Sequence, residues 1–367
     1  MTPLRLGVIG VGDVAQRDYL PEAHRLAGTA EISVLCGRDP GRVRRVAEQY
    51  GVPAWSTDYG DVLSMDIDAV VNLTPAPAHA AITRAALRSG RHVYTEKPLA
   101  PTPGEARELR DEADRAGLML VCAPSVLLYP QLQRARDVVA SGELGTVWSA
   151  RAQAFGGIPP WDGYDSDPSP FFSADNGPLV DMAVYPLHAL TALVGPVRRV
   201  AAMARRTRDS FTIAAGPRSG QVVKVESEDQ WQLLLDLGTC TASVEANFST
   251  VDSAAAECEL RGDRGALAFS LLDVAKPVCV LRPGAESWSE LPAAAARSSG
   301  PDHILGVLHL AECVATGRPP LASAAHAIHV LDVIAAARQA AISGATVSVP
   351  PETDPSAAFL RATAGTR

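Results

Sequence analysis

Three side chains able to move protons stand at Asp181, Tyr185 and His188. On a single helix the spacing i, i+4 and i+7 puts a carboxylate, a phenol and an imidazole on one face. A fourth such group, Lys97, lies in Thr95-Glu96-Lys97-Pro98, directly after an apolar run that reads as a strand. An ammonium at the carboxyl end of a parallel strand stands where open sheets bind ligands, and there it can hydrogen-bond a hydroxyl or carbonyl and help move its proton. A phenol with an ordinary pKa of about 10 is a poor base near neutrality, and a neighbouring ammonium favours its charged form. Each residue also has a plainer reading. Tyr185 and His188 could be core residues with satisfied polar atoms, Asp181 a helix-start carboxylate, and Lys97 a surface cation.

Gly10-Val11-Gly12-Asp13-Val14-Ala15 is a G-x-G-x-x-A pattern between a strand expected at Leu4 to Ile9 and a helix expected at Asp13 to Leu26. In that setting the first glycine permits a tight turn and the second lets backbone approach a pyrophosphate. The small third residue allows close helix packing, and the helix N-terminus supplies partial positive charge. A second strand ends at Cys36-Gly37-Arg38-Asp39. An acid at this strand end holds a ribose 2′-hydroxyl, whereas an arginine accommodates a 2′-phosphate. Gly37 occupies the usual acid position and Arg38 can pair with a phosphate, which favours NADP over NAD. Asp39 has two readings, ribose contact or N-cap of the next helix.

Strand and helix alternate through the first third of the chain. Strands are expected at Glu31 to Cys36, Asp68 to Leu73, Arg91 to Thr95 and Leu118 to Val121, with helices at Pro40 to Tyr50, Ala78 to Arg88 and Pro103 to Ala116. This order predicts a doubly wound parallel sheet over residues 1–123. The pattern then changes. A second domain is expected over 124–350, with helices at Gln131 to Ala140, Leu179 to Leu193, His303 to Thr316 and Ser323 to Ser343. Its strands are expected at Thr146 to Ala154, Gln230 to Asp236, Thr239 to Phe248, Glu257 to Arg261 and Ala266 to Leu271. Residues 156–178 read as a long ordered loop around Trp161, Tyr164, Phe171 and Phe172, and 351–367 as a frayed tail.

At 367 residues the chain exceeds the usual size of one domain. A formal charge of −8 opposes binding to a polyanion. The basic cluster Arg198, Arg199, Arg205, Arg206 and Arg208 reads as a solvated loop. Six cysteines without a C-x-x-C pair suggest neither a zinc site nor a disulfide framework. The chain enters a strand pattern almost at once, and no apolar stretch reaches the roughly 18 to 20 residues of a membrane helix. A soluble, cytoplasmic protein with no nucleic-acid or membrane partner and no metal is expected.

Taken together, these motifs resemble those of the Gfo/Idh/MocA oxidoreductases, the family of glucose-fructose oxidoreductase and inositol dehydrogenase. The likeness also rests on Asn72-Leu73-Thr74-Pro75 followed by His79, on Gly90-Arg91-His92-Val93 before Glu96-Lys97-Pro98, on Gly177 to Tyr185, on Leu190 to Val197 and on Gly317-Arg318-Pro319. It implies an α/β Rossmann-type domain followed by an α+β domain whose large, open, mostly antiparallel sheet commonly forms homodimers or homotetramers. It also implies hydride transfer between nicotinamide and a secondary alcohol or ketone of a sugar, glycoside or cyclitol.

By the same resemblance, Gly10, Gly12, Asp13, Val14, Gly37, Arg38, Thr74, Pro75, His79, Glu96, Lys97 and Pro98 would meet the cofactor. Lys97, Asp181, Tyr185 and His188 would meet substrate, and from the aromatic loop itself Trp161 and Tyr164 are further candidates to do so. In the family's Asp-x-Gly-x-His-x-x-Asp motif the lysine, the first aspartate and the histidine act together on the reacting alcohol. Here Asp181 matches the aspartate, Ala183 replaces the glycine, Tyr185 stands at the histidine and His188 at the second aspartate. Tyr185 or Lys97 would take the hydroxyl proton. Trp161 and Tyr164 could stack on a pyranose face or latch the loop. Relatives leave three other functions open: an NAD-dependent glycosidase or lyase using transient oxidation, a reductase of a nucleotide-linked keto sugar in secondary metabolism, and a non-catalytic cofactor sensor.

Overall fold

The strand Leu4–Ile9 (β1) has the sequence LRLGVI, and its last four residues are buried, as in a strand covered on both faces. The computed structural model describes residues 2–251, 253, 256–292, 300–350 and 355–361. Within them β1 pairs in parallel with Ala30–Cys36 (β2) and Ala69–Asn72 (β4). Ala54–Ser56 (β3), His92–Thr95 (β5) and Leu120–Cys122 (β6) complete an all-parallel sheet in the order β3-β2-β1-β4-β5-β6. This is the doubly wound order, whose strand sequence reverses at the β1/β4 junction.

Helices Pro40–Tyr50 and Pro103–Ala116 fall where expected, because each has a capping side chain before an N1 proline and a left-handed glycine after its last turn. β3 and the helix Tyr59–Ser64 escaped the sequence reading, being three and six residues long. That is too short for a hydrophobic period to register. Residues Asp13 to Leu26 are helical but not one α-helix. A π-helical turn at Ala15–Tyr19 gives way to a 3₁₀ segment at Leu20–Leu26, where Pro21 has no N–H to continue the ladder.

The chain forms two compact units, Met1–Ser125 with Asp302–Ile328, and Val126–Pro301 with His329–Arg367. The expected assignment of all of 124–350 to a second domain is therefore corrected, since the segment Asp302–Ile328 belongs with the first unit. Two contacts explain its return. The Arg25 guanidinium forks onto Asp302 at 2.7 and 3.0 Å. Ile304, Val307 and Leu310 of the helix Ile304–Thr316 enter the apolar core that also holds Leu6, Val8 and Tyr19.

In the second unit Val147–Phe155 (β7), Arg199–Arg205 (β8), Gln230–Asp236 (β11), Thr241–Asn247 (β12), Cys258–Gly262 (β13) and Gly265–Phe269 (β14) make most of a large sheet. Cys279–Leu281 (β15), Ser289–Glu290 (β16) and Val347–Ser348 (β17) extend it to the order β16-β15-β14-β13-β7-β12-β11-β8-β17. All pairings are antiparallel except β7 with β12. Ser210–Thr212 (β9) and Val222–Lys224 (β10) form a separate hairpin.

β8 corrects the loop reading of the basic cluster. Val200 is buried opposite Leu235, while Arg199 pairs with Asp236 at 2.6 Å. The alanines between them hid the alternation. The expected helix over 179–193 is two pieces, Pro178–Asp181 and Val184–Leu193. No described helix is long and apolar enough to cross a membrane.

The expected frayed tail over 351–367 is corrected at 355–361, and its remaining residues lie outside the described ones. Pro355–Arg361 is helical and buries Phe359, with the Arg136 guanidinium 5.4 Å above its ring. A fully enclosed phenyl ring leaves a cavity when removed, so Phe359→Ala should lower unfolding free energy by about 3–5 kcal/mol. Urea titration followed by tryptophan fluorescence would measure this. A change under about 0.5 kcal/mol, the usual range for surface substitutions, would show the helix to be peripheral.

Candidate functional site

The parallel strands of the first unit end level. Ile9 stands opposite Cys36 and Asn72, Asn72 opposite Thr95, and Thr95 opposite Cys122. The ladder then runs one step further, with Gly10 N donating to Cys36 O, Leu73 N to Ile9 O, Glu96 N to Asn72 O and Ala123 N to Thr95 O, all at 2.8–3.0 Å. Gly10, Gly37, Leu73-Thr74, Glu96-Lys97 and Ala123 therefore leave the sheet along one rim.

The glycines on that rim are needed. Gly10 has φ +105°, and a Cβ there would stand 2.6 Å from the Leu73 carbonyl. A Cβ on Gly37 would meet Val11 Cγ2 at 2.5 Å, so a side chain at the position that carries an acid in NAD-binding folds would have to displace Val11. At Gly12 a Cβ would meet open space, which leaves the backbone free for close approach. Ala15 is fully buried where the pattern calls for a small residue, and Asp13 and Val14 start the helical segment. These residues fit a dinucleotide. At the end of β2 Asp39 spends its Oδ1 on the Arg42 N–H at 2.8 Å, the N-cap reading. Arg38 beside it is exposed.

Three buried polar groups anchor the turns of the rim. The His79 ring spans between Thr74 O (2.6 Å, from Nε2) and Pro98 O (2.7 Å, from Nδ1). Burial lowers the imidazole pKa, while the two carbonyls and the Glu96 charge oppose that shift. Asn72 accepts from the Thr74 hydroxyl at 2.6 Å and donates to His79 O. Pro75 is exposed just beyond. Glu96 is buried and accepts the Lys97 N–H at 3.0 Å on Oε2. Its Oε1 takes the Tyr19 hydroxyl at 2.5 Å.

In the second unit Asp181 ends the first short helix, and Tyr185 and His188 lie on the next. All three are buried. Between the helices Ala183 N reaches back five residues to Pro178 O, so the i, i+4 relation of Asp181 to Tyr185 crosses a break instead of one regular turn. His188 donates from Nδ1 to Val184 O at 2.8 Å, leaving Nε2 as the unprotonated nitrogen of the neutral ring. Burial, reinforced by His329, pushes its pKa down to about 4.

The loop 156–178 is a packed unit. Trp161 lies edge-on to Phe171, Tyr164 and Phe248, with Tyr164 against Phe171 in turn. Phe172 O accepts from Glu226 N and Ser227 N, and the Phe172 ring packs on Phe211 of β9. The aromatic latch is thus formed. The buried Trp161 Nε1 has no hydrogen-bond partner among the described residues.

Residues 4–123 match the oxidoreductase family with an NAD-binding Rossmann fold (GFO_IDH_MocA), and residues 132–268 match the GFO/IDH/MocA C-terminal domain. The chain belongs to the GFO/IDH/MocA family. Over 220 residues it is 34% identical to the dTDP-3,4-didehydro-2,6-dideoxy-alpha-D-glucose 3-reductase of Actinomadura kijaniata, an alignment spanning 58% of this chain and 63% of that protein. It is 29% identical to D-xylose 1-dehydrogenase (NADP(+)) 2 of Haloferax volcanii, over 68% of this chain and 71% of that one. The crystal structure of an oxidoreductase domain protein from Kribbella flavida superposes with a TM-score of 0.79 at 25% identity, covering 96% of this chain and all of that one. The chain thus matches under two thirds of the length of the first of these family members.

Tyr19, Tyr94, Ser125 and His303, which form a linked network leading to Glu96, were missed by the sequence reading. No local spacing points to them, because Tyr19 and Glu96 are 77 residues apart and Ser125 and His303 are 178 apart. His188 has a measurable consequence. The unfolded imidazole takes a proton near pH 6.5 and the folded one near 4, so its contribution is complete above about pH 6.5 and declines as pH falls towards 4. His188→Leu should flatten that acid limb by about one proton per molecule in urea midpoints measured from pH 6.5 to 4.5. An unchanged slope would mean that the folded imidazole titrates normally.

Proposed function

We propose that this chain is an NAD(P)-dependent oxidoreductase, favouring NADP, that interconverts a secondary alcohol and ketone on a sugar, glycoside or cyclitol. The observation that carries the reading is Lys97, fixed by its own N–H to buried Glu96 at the end of β5, on the rim that also carries the glycine cradle. When bound, a nicotinamide cofactor supplies or accepts the hydride. Gly10, Gly12, Asp13 and Val14 would hold its pyrophosphate, Arg38 its 2′-phosphate, and Thr74, Pro75, His79, Glu96 and Pro98 would shape its seat. Lys97 would hydrogen-bond the reacting oxygen, Tyr185 would pass the proton, Asp181 would orient the alcohol, and His188 would contact a polyol hydroxyl. The orphan indole N–H of Trp161 supports a substrate contact from the aromatic loop, with Tyr164 beside it.

A second reading, reduction of a nucleotide-linked keto sugar, is favoured by the 34% identity to a 3-reductase of that class. A cytoplasmic setting suits six free cysteines. A homodimer or homotetramer formed through the sheet would cover Met203 and Leu234, which are 79% and 58% exposed on neighbouring strands.

A screen of sugars, cyclitols and nucleotide-linked sugars followed by NAD(P)H absorbance tests the activity itself. Lys97→Ala should abolish turnover while cofactor titration still shows binding, and retention of most turnover would sink the assignment. Tyr185→Phe should lower kcat by about a hundredfold, whereas His188→Ala should act chiefly on KM. Reversed phenotypes would exchange the two roles. Arg38→Ala should weaken NADPH binding by about tenfold, the loss of one charge-assisted phosphate contact, and leave NADH nearly unchanged. Equal losses for both cofactors would remove Arg38 as the phosphate reader.

A further inference from the structure

The buried Glu96 carboxylate heads a network of side chains from four separate elements of the first unit. Tyr19 leaves the π-helical turn after the glycine-rich loop and donates to Oε1 at 2.5 Å. The Tyr94 hydroxyl lies 2.8 Å from that of Tyr19 and 3.3 Å from Ser125 Oγ, and Ser125 Oγ is 3.2 Å from the His303 carbonyl. The His303 ring packs on Tyr19 with centroids 5.8 Å apart, and its Nδ1 stands 4.0 Å from Oε1. Glu96 also acts electrostatically on His79 and Cys122. With Tyr19 committed to the carboxylate, its hydroxyl has no second proton, so Tyr94 must donate to it. Two phenols in series therefore point their dipoles at one oxygen, an arrangement that strengthens both bonds.

This network is built into the packing. A Cβ on Gly306, in the helix Ile304–Thr316, would stand 2.3 Å from Tyr94 Cε2 and 2.5 Å from Ser125 Oγ. Only glycine lets that helix close on the hydroxyls. Asp302, next to His303, is the residue forked by Arg25. None of these groups belongs to the glycine cradle or carries a proton in the mechanism above.

We propose that Tyr19 and His303 are positioning residues for Lys97. The Tyr19 hydroxyl clamps Oε1 of Glu96 and the His303 ring, whose Nδ1 makes no hydrogen bond among the described residues, backs the Tyr19 ring, so that Oε2 holds the Lys97 N–H and sets the direction in which the lysine leaves β5. A carboxylate fixed at one oxygen only could rotate about its terminal torsion, which is broad for an sp³–sp² bond. Fixed at both, it cannot. Acting through Glu96, the π-helical turn after the glycine-rich loop and the start of the helix Ile304–Thr316 thus control the same lysine. This rests on the reading of Lys97 as the residue that meets the reacting oxygen.

The test compares the full-length wild type with Tyr19→Phe, His303→Gln and Lys97→Ala by amide hydrogen exchange, alongside NADPH titration and turnover. Tyr19→Phe keeps the ring in the core and removes only the hydroxyl. Exchange at the Lys97 amide should accelerate by about tenfold while the amides of β1 stay protected, because only a local opening is made easier. His303→Gln should shift it the same way by a smaller factor. NADPH affinity should stay within about twofold, and any loss of activity should fall on kcat and not on KM. Unchanged exchange at Lys97 in Tyr19→Phe overturns the clamp. Equal acceleration throughout β1 also overturns it, since that marks general loosening. If Lys97→Ala keeps its turnover while Tyr19→Phe still frees the Lys97 amide, the clamp stands and the catalytic reading of Lys97 falls.

Discussion

The level endings of the parallel strands are the constraint on which the first unit depends. In a parallel ladder the hydrogen bonds to both neighbours are evenly spaced, so a shared end point brings every following loop out at the same height. β1, β2, β4 and β5 meet this condition, and the residue after each bonds back to the adjacent strand. Glycine is then favoured where two such exits crowd. Gly10 lies against the Leu73 carbonyl and Gly37 against the Val11 side chain. The cradle is defined as much by absent Cβ atoms as by the groups it presents.

Beneath that rim a group of polar side chains is buried in the core. Asn72, His79, Thr83 and Thr95 are each under 2% exposed, and Glu96 is nearly as enclosed. A buried amide, imidazole or carboxylate destabilises a fold unless its hydrogen bonds are made. Here Asn72 bonds Thr74, Thr83 and His79 O, and Glu96 bonds Tyr19 and the Lys97 N–H. Tyr19 joins this network to the apolar core, its ring packed with Leu6, Val8 and Ile304 and its hydroxyl on the carboxylate. Displacing that core would therefore disturb the turn bearing Lys97 as well as stability.

The second unit positions its candidate residues by different means. Its polar side chains ride on short helices whose ladder is interrupted at Met182 and Ala183, and its aromatic loop is held by backbone bonds from the stretch after β10. Interrupted helices re-aim side chains at a cost in regular hydrogen bonds. The neutral, buried His188 is consistent with that rigidity, since its Nδ1–H is committed to the main chain one turn back.

What the sequence determined by itself was local. The glycine pattern, the N1 prolines with their caps, the alternation along β11 and the Glu-Lys-Pro turn each carry their signal within about a dozen residues, the range over which helix and strand periods show. The doubly wound sheet, the cofactor rim and the candidates Lys97, Asp181 and Tyr185 could be read from them. The tertiary structure alone decided the return of Asp302–Ile328 to the first unit, the strand nature of Arg199–Arg205, the burial of Phe359 and the network that leads from Tyr19, Tyr94, Ser125 and His303 to Glu96. These depend on partners far apart in the chain, 277 residues in the case of Arg25 and Asp302. A side chain's own neighbours in sequence do not specify such pairings, because they exist only after non-local packing has brought the elements together.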